Sequence, residues 1–175
     1  IEAPLVVVDV QRVGPSTGMP TLPAQGDILQ CRSGSHGDYF PIVLYPNSVS
    51  ELYRYTIEAF NAAEESLSPV ILLSDGYISH LSETTAIEEV ALKQRVLEPL
   101  GALGNRHFTG LTHRGAFPRA TDPEAHREHL MKLQEKQLRV AKNYNFYEYR
   151  EKKGADTLVI SFGVMSRLAY IFKDR

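Results

Sequence analysis

The amino-acid sequence predicts an α/β fold, a mostly parallel sheet flanked by helices, and three observations carry that prediction. Four short stretches are continuous apolar runs rather than alternating ones, which is how strands covered on both faces read. A helix with apolar residues at helical spacing joins the second run to the third, and strand, helix and strand at that separation make a βαβ unit. A second, strongly capped helix precedes the fourth run.

The first strand is PLVVVDV at 4–10, and a turn-rich stretch, QRVGPSTGMPT, follows it. The second strand is PIVLY at 41–45. Ser48 then stands as a helix N-cap with Glu51 three residues later, a capping box, and the helix presents Leu52, Thr56, Phe60, Ala63 and Leu67 as its apolar face. PVILLSD at 69–75 is the third strand. Residues 76–121 read as a long connection in which only a weak helix around 84–97 can be placed. Asp122 caps the next helix, with Pro123 at its first position, Glu124 in its first turn and Lys142 in its last, so the helix runs to about Asn143. YNFYEYREKKGAD reads as a linker, and DTLVISFG at 156–163 begins a new strand, Gly turn and helix. The expected division is 1–121 for part of one α/β domain, 122–153 for a connecting helix and linker, and 154–175 for the start of a second domain. Beginning at Ile1 with no Met, and ending soon after a strand, the sequence reads as a piece of a longer chain.

A length of 175 residues suits one moderate domain, or one domain with part of another. The net charge of −2 is spread along the chain, with no block that would mark a nucleic-acid or membrane surface. Cys31 is the only cysteine, which excludes an intrachain disulfide and an all-cysteine zinc or iron–sulfur site in this chain and points to a reducing compartment. No apolar run approaches the roughly 20 residues that span a bilayer, and the start lacks a basic segment or cleavage site. A soluble cytoplasmic protein is the expectation.

Among candidate site residues, Arg12 ranks first. It stands at the C-terminal end of a presumed parallel strand, the edge where open α/β sheets place ligands, and a guanidinium there can hold a carboxylate through two hydrogen bonds. Ser16, Thr17 and Thr21 can add neutral donors. The competing view is that Arg12 pairs with Asp9, Asp27 or a carbonyl and only shapes the loop. A backbone phosphate cradle is disfavoured, because Pro15 and Pro20 lack N–H groups and neither GxGxxG nor GK[ST] is present. His36, between glycines and beside Asp38, is a possible proton-transfer group, although a lone loop histidine is more often solvated. His126 and His129, with Glu124 and Glu128 nearby, have zinc-like spacing but no HExxH and no third ligand, so a solvated helix face is favoured. His107 and His113 have no spacing argument, and Cys31 reads as a small buried residue.

The strings PLVVVDVQRVGPSTGMPTLPAQGDILQ, HGDYFPIVLYPNSVSELYRYTIEAFNAAE, PVILLSD and HFTGLTH together resemble the alpha subunit of the 2-oxoacid:ferredoxin oxidoreductases, above all the 2-oxoglutarate type. DVQRxGPSTGxPTxxxQGD is the long and specific part of the match. The resemblance implies a domain of the thiamine diphosphate pyrimidine-binding type. It also implies an enzyme that decarboxylates a 2-oxoacid oxidatively with thiamine diphosphate and coenzyme A, passing electrons through iron–sulfur clusters to ferredoxin. By the same resemblance Arg12 corresponds to the arginine at the substrate carboxylate and Thr21 to a threonine near that pocket. The diphosphate and Mg²⁺ fall to a beta subunit, and the iron–sulfur clusters to partner subunits or regions outside this sequence.

The family's glutamate that protonates the aminopyrimidine, and its SGPG segment, lie upstream of where this sequence begins. The expectation is therefore that this chain alone is inactive. The family also continues its second domain well past SFGVMSRLA. A function of a different class stays open beside the enzyme: a non-catalytic α/β domain that docks subunits, with the loop at 14–21 buried in an interface.

Overall fold

A computed structural model describes residues 2–94 and 107–171. Its main sheet has four strands in the order β2-β1-β4-β3, where β1 is Leu5–Val13, β2 Met19–Pro23, β3 Ile42–Leu44 and β4 Pro69–Asp75. The central strand β4 runs parallel to both β1 and β3, pairing Leu5 with Pro69 and Ile42 with Val70. The mostly parallel α/β architecture thus stands. Helix α1 covers Ile28–Ser33, α2 Val49–Ser66 and α3 Gly76–His80. Beyond these come a small hairpin of β5 (His113–Arg114) and β6 (Phe117–Pro118), then α4 (Pro123–Ala141) and α5 (Val164–Ala169).

β3, α2 and β4 form the expected unit. Ser48 caps α2 by accepting from the Glu51 amide, while the Glu51 carboxylate reaches back to the Asn47 amide, 2.8 Å away, one residue earlier than in the usual box. The buried face of α2 is rotated from the expected one. Tyr55, Ala59, Ala62, Ala63 and Ser66 are buried, whereas Phe60 is 57% exposed. Small alanines let the helix lie close on Ile42, Leu44, Val70 and Leu72, and a larger side chain would hold it off. α4 closes the same core with Val140, followed by Tyr144. Asp122 caps α4 by accepting from the Ala125 amide, and Pro123 sits in its first turn, as the sequence predicts.

Three expectations are corrected. Residues 84–94 are not helical; the chain there is a strap held to α2, where Asn61 donates to the Ala91 carbonyl and accepts from the Lys93 amide, both at 2.8 Å. A buried asparagine thus satisfies backbone groups that a helix would have satisfied internally. Residues 95–97 of that predicted helix lie outside the described residues.

The second correction concerns 156–162, which form no strand. No neighbouring strand among the described residues offers them ladder bonds, and Leu158, Val159 and Ile160 are exposed. The third is β1, which is a strand as expected but is not covered on both sides. Over residues 5–10 it has β4 on one edge and no strand among the described residues on the other, and Leu5, Val7, Val8 and Val10 are exposed.

Candidate functional site

At the C-terminal ends of the parallel strands β1 and β4 the chain turns twice, and these turns build a cleft of about 450 Å³. It is lined by Arg12 from β1, Pro20, Thr21, Leu22 and Pro23 from β2, Gly76, Tyr77 and His80 from α3, and Leu81. Arg12 and Thr21, singled out in the sequence, meet here.

β2 is the element that sequence reading missed, since two prolines in MPTLP argue against a strand. It is an edge strand, where a missing N–H is tolerated, and it runs antiparallel to the end of β1 with Arg12 opposite Pro23. The ladder is irregular between Arg12 and Val13. Between the strands Gly18 has φ of +48°, and a Cβ there would lie 2.4 Å from the Val13 carbonyl oxygen, so only glycine fits this turn.

The guanidinium of Arg12 is tied to this loop. Nη1 donates to the carbonyls of Val13 at 2.9 Å and Thr17 at 2.5 Å, and neither Asp9 nor Asp27 forms an ion pair with it. Nη2 and Nε have no partner among the described residues. One nitrogen therefore fixes the side chain while the others remain available for a planar anion. Thr21 is exposed on the wall beside it. Ser16 is exposed, at a φ of +53°, and Thr17 enters the network through its carbonyl.

Beneath the cleft lies a polar network the sequence did not reveal. Gln11, fully buried, donates to the Ser74 carbonyl at 3.2 Å and accepts from the Asp27 amide at 3.0 Å, joining β1, β4 and the start of α1. Asp75, also buried, caps α3 with one oxygen, which accepts from the amides of Tyr77 and Ile78 at 2.9 Å. Its other oxygen accepts from the Tyr45 hydroxyl at 3.0 Å, and that hydroxyl accepts in turn from Gln25. Burial pushes the Tyr45 phenol far above its ordinary value, and the Asp75 carboxylate adds to the effect. Gln25 also donates to the Phe162 carbonyl, which brings the C-terminal segment onto this network.

The other candidates lie elsewhere. His36 is exposed and shares a hydrogen bond with the Ser35 hydroxyl, at 3.4 Å. His107 stacks on His113, with ring centroids 4.4 Å apart, and the tilted ring of His129 lies 4.7 Å from His113, in a second cavity of about 480 Å³ between the hairpin and α4. His129 is thus not on a solvated face; burial and then the neighbouring His113 push its pKa down. His126 shares a hydrogen bond with Thr112. Two of the cations of this cavity are paired within it, Arg114 with Glu128 at 3.3 Å and Lys136 with Glu2. Among the described residues no group of three or more His, Cys, Asp or Glu side chains is placed to hold a metal ion. No described helix is long and apolar enough to cross a membrane.

Cys31 is buried in α1, as expected, and its thiol donates to Asp9 at 3.6 Å. Burial, and then the Asp9 carboxylate, push the thiol up to about 11. At pH 9 a group of that pKa is about 1% thiolate, against about half for a free thiol of the ordinary value. Iodoacetamide at pH 8–9 is therefore expected to leave Cys31 of the folded protein unmodified and to label it in urea; equal labelling in both states would contradict this burial.

The fold is that of the thiamine diphosphate-binding domains of 2-oxoacid oxidoreductases. It belongs to the family described as pyruvate flavodoxin/ferredoxin oxidoreductase, thiamine diphosphate-binding, whose model matches residues 1–150. Among curated relatives, the 2-oxoglutarate synthase subunit KorA of Methanothermobacter marburgensis is 40% identical, across 95% of this chain and 50% of that protein. The ketoisovalerate oxidoreductase subunit VorB of Methanothermobacter thermautotrophicus is 34% identical, across 96% of this chain and 47% of its own length. The solved 2-oxoglutarate:ferredoxin oxidoreductase from Magnetococcus marinus, with 2-oxoglutarate, coenzyme A and succinyl-CoA bound, matches with a TM-score of 0.71 and 29% identity. That match covers 89% of this chain and 31% of the other. The chain thus spans about half the length of the curated relatives it matches.

Proposed function

We propose that this chain is part of the alpha subunit of a 2-oxoacid:ferredoxin oxidoreductase and forms the wall that holds the carboxylate of the 2-oxoacid, 2-oxoglutarate in the first instance. The observation that carries the reading is Arg12, locked through one nitrogen at the C-terminal edge of a parallel strand while the rest of its fork and Thr21 border an open cleft. Arg12 binds and orients the carboxylate next to the carbon that reacts, and Thr21 adds a neutral donor. Residues 154–175 lead into a second α/β domain.

The described residues fit this substrate side and not the diphosphate side of the cofactor. Pro15 and Pro20 bring no N–H to the loop, which removes two donors from any backbone cradle for a phosphate. By the family resemblance the diphosphate and Mg²⁺ fall to the beta subunit, and iron–sulfur clusters to partner subunits or to regions outside this sequence. Thiamine diphosphate, when bound, supplies the electron sink for loss of CO₂. Coenzyme A takes the acyl group and ferredoxin the electrons at the level of the complex.

A docking role also has an observation behind it, the exposed apolar residues of β1 and of 158–160, which suit contact with other subunits. One preparation separates the two readings. The full polypeptide, co-expressed with its beta subunit and purified by gel filtration, is expected to retain thiamine diphosphate and to reduce viologen dye only with both a 2-oxoacid and coenzyme A. A stable complex lacking cofactor and turnover would favour docking.

A further inference from the structure

We propose that His80 is a specificity-determining residue that holds the distal carboxylate of a dicarboxylic 2-oxoacid, an inference that rests on the reading of the cleft just given. The cleft has two walls of different origin. Arg12 and Thr21 stand on the β1–β2 side, Tyr77 and His80 on the α3 side, and Leu22, Pro23 and Leu81 supply apolar surface. The walls meet where Gly76 lies against Pro23: a Cβ on Gly76 would be 3.6 Å from that proline. Groups able to carry positive charge on both walls, with apolar lining between them, fit a ligand whose two negative ends are separated by a short methylene chain.

The hydrogen bonding of His80 suits the task. Its Nδ1 lies 2.7 Å from the Gly76 carbonyl oxygen, and because a carbonyl only accepts, Nδ1 carries a proton. Nε2, which has no partner among the described residues, is then the ring nitrogen left for a ligand. With a proton there as well, the ring donates through Nε2 to a carboxylate and keeps its bond to Gly76. Asp75 fixes the position of the helix that carries it, through the caps on Tyr77 and Ile78. A monocarboxylic 2-oxoacid leaves His80 without a partner, whereas 2-oxoglutarate engages both walls.

The test uses the assembled enzyme made from the full polypeptide and its partner subunits. The KM for 2-oxoglutarate is measured alongside the inhibition constant of 2-oxopentanoate, which has the same chain length without the distal carboxylate and competes whether or not it is turned over. Loss of a charge-assisted hydrogen bond predicts that His80→Leu raises the KM for 2-oxoglutarate by about 10-fold or more, with kcat and the 2-oxopentanoate constant changing less than about 3-fold. His80→Arg, which keeps a cationic donor, is expected to restore much of the discrimination. Equal weakening of both ligands, or an unchanged KM for 2-oxoglutarate, would overturn the assignment. Arg12→Ala is run in parallel: weakening of both ligands upholds the cleft as the substrate site whatever His80 does, and weakening of neither removes the underlying reading.

Discussion

Arg12→Ala in the assembled enzyme is expected to raise the KM for the 2-oxoacid by about 10- to 100-fold, the equivalent of losing one charge-assisted hydrogen-bonded pair of about 1.5–3 kcal/mol. The effect falls mainly on KM because this carboxylate carries its full charge when the substrate binds and gives it up as CO₂ leaves, so the contact is not strengthened in the transition state of that step. Arg12 also ties down the Val13 and Thr17 carbonyls, and a truncated side chain would loosen the loop as well as lose the ligand contact. Arg12→Lys separates the two effects. It keeps a positive charge but has no fork with which to hold the loop through one nitrogen and the substrate through others, so an intermediate KM is expected. Steady-state kinetics at saturating coenzyme A measures this directly, and an unchanged KM and kcat for Arg12→Ala would sink the carboxylate assignment.

How much of this could be read from the sequence depended on whether a feature is local. The strands expected at 4–10, 41–45 and 69–75 and the capped helices α2 and α4 announce themselves through apolar runs and N-caps, whose causes lie within a few residues, although β1 runs on to Val13. The loop that holds Arg12 was legible too, because its prolines fix φ and its glycines permit the positive φ that a tight turn needs. What escaped depends on contacts distant in the chain. β2 is permitted by its place at the edge of the sheet, a tertiary fact. The strap at 84–94 is held by Asn61, about 30 residues earlier, and no helical propensity in the strap reveals that. The run at 156–162 carries a strand's apolar pattern, but a strand also needs a partner to bond. Gln11, Asp75 and His80 looked ordinary because their importance comes from partners or walls contributed by other elements. A signal existed only for Asp75: an acidic residue ending an apolar run just before GYIS is an N-cap pattern.

That cap leads to the largest structural effect expected from a single substitution away from the substrate. Asp75→Ala removes the acceptor for the Tyr77 and Ile78 amides and leaves the half-buried Tyr45 hydroxyl without its carboxylate. Loss of an N-cap costs about 0.5–2 kcal/mol. A donor left unpaired adds up to about 1–3 kcal/mol, the upper end applying to a fully buried one. Together they correspond to a fall in Tm of about 5–15 °C for a domain of this size. Function should suffer as well, because α3 carries Tyr77 and His80 into the cleft and Gly76 packs on Pro23 beside Thr21. Asp75→Asn keeps an acceptor oxygen for the two amides and can offer Tyr45 only a reoriented amide, so a smaller fall in Tm is expected. Tyr45→Phe removes the hydroxyl but spares the cap, and it should disturb the cleft least of the three. Thermal unfolding of the full polypeptide in complex with its partner subunits, read alongside the KM for the 2-oxoacid, orders these variants. If Asp75→Ala and Tyr45→Phe lowered Tm equally and left the KM unchanged, the cap would not be what holds α3 against the site.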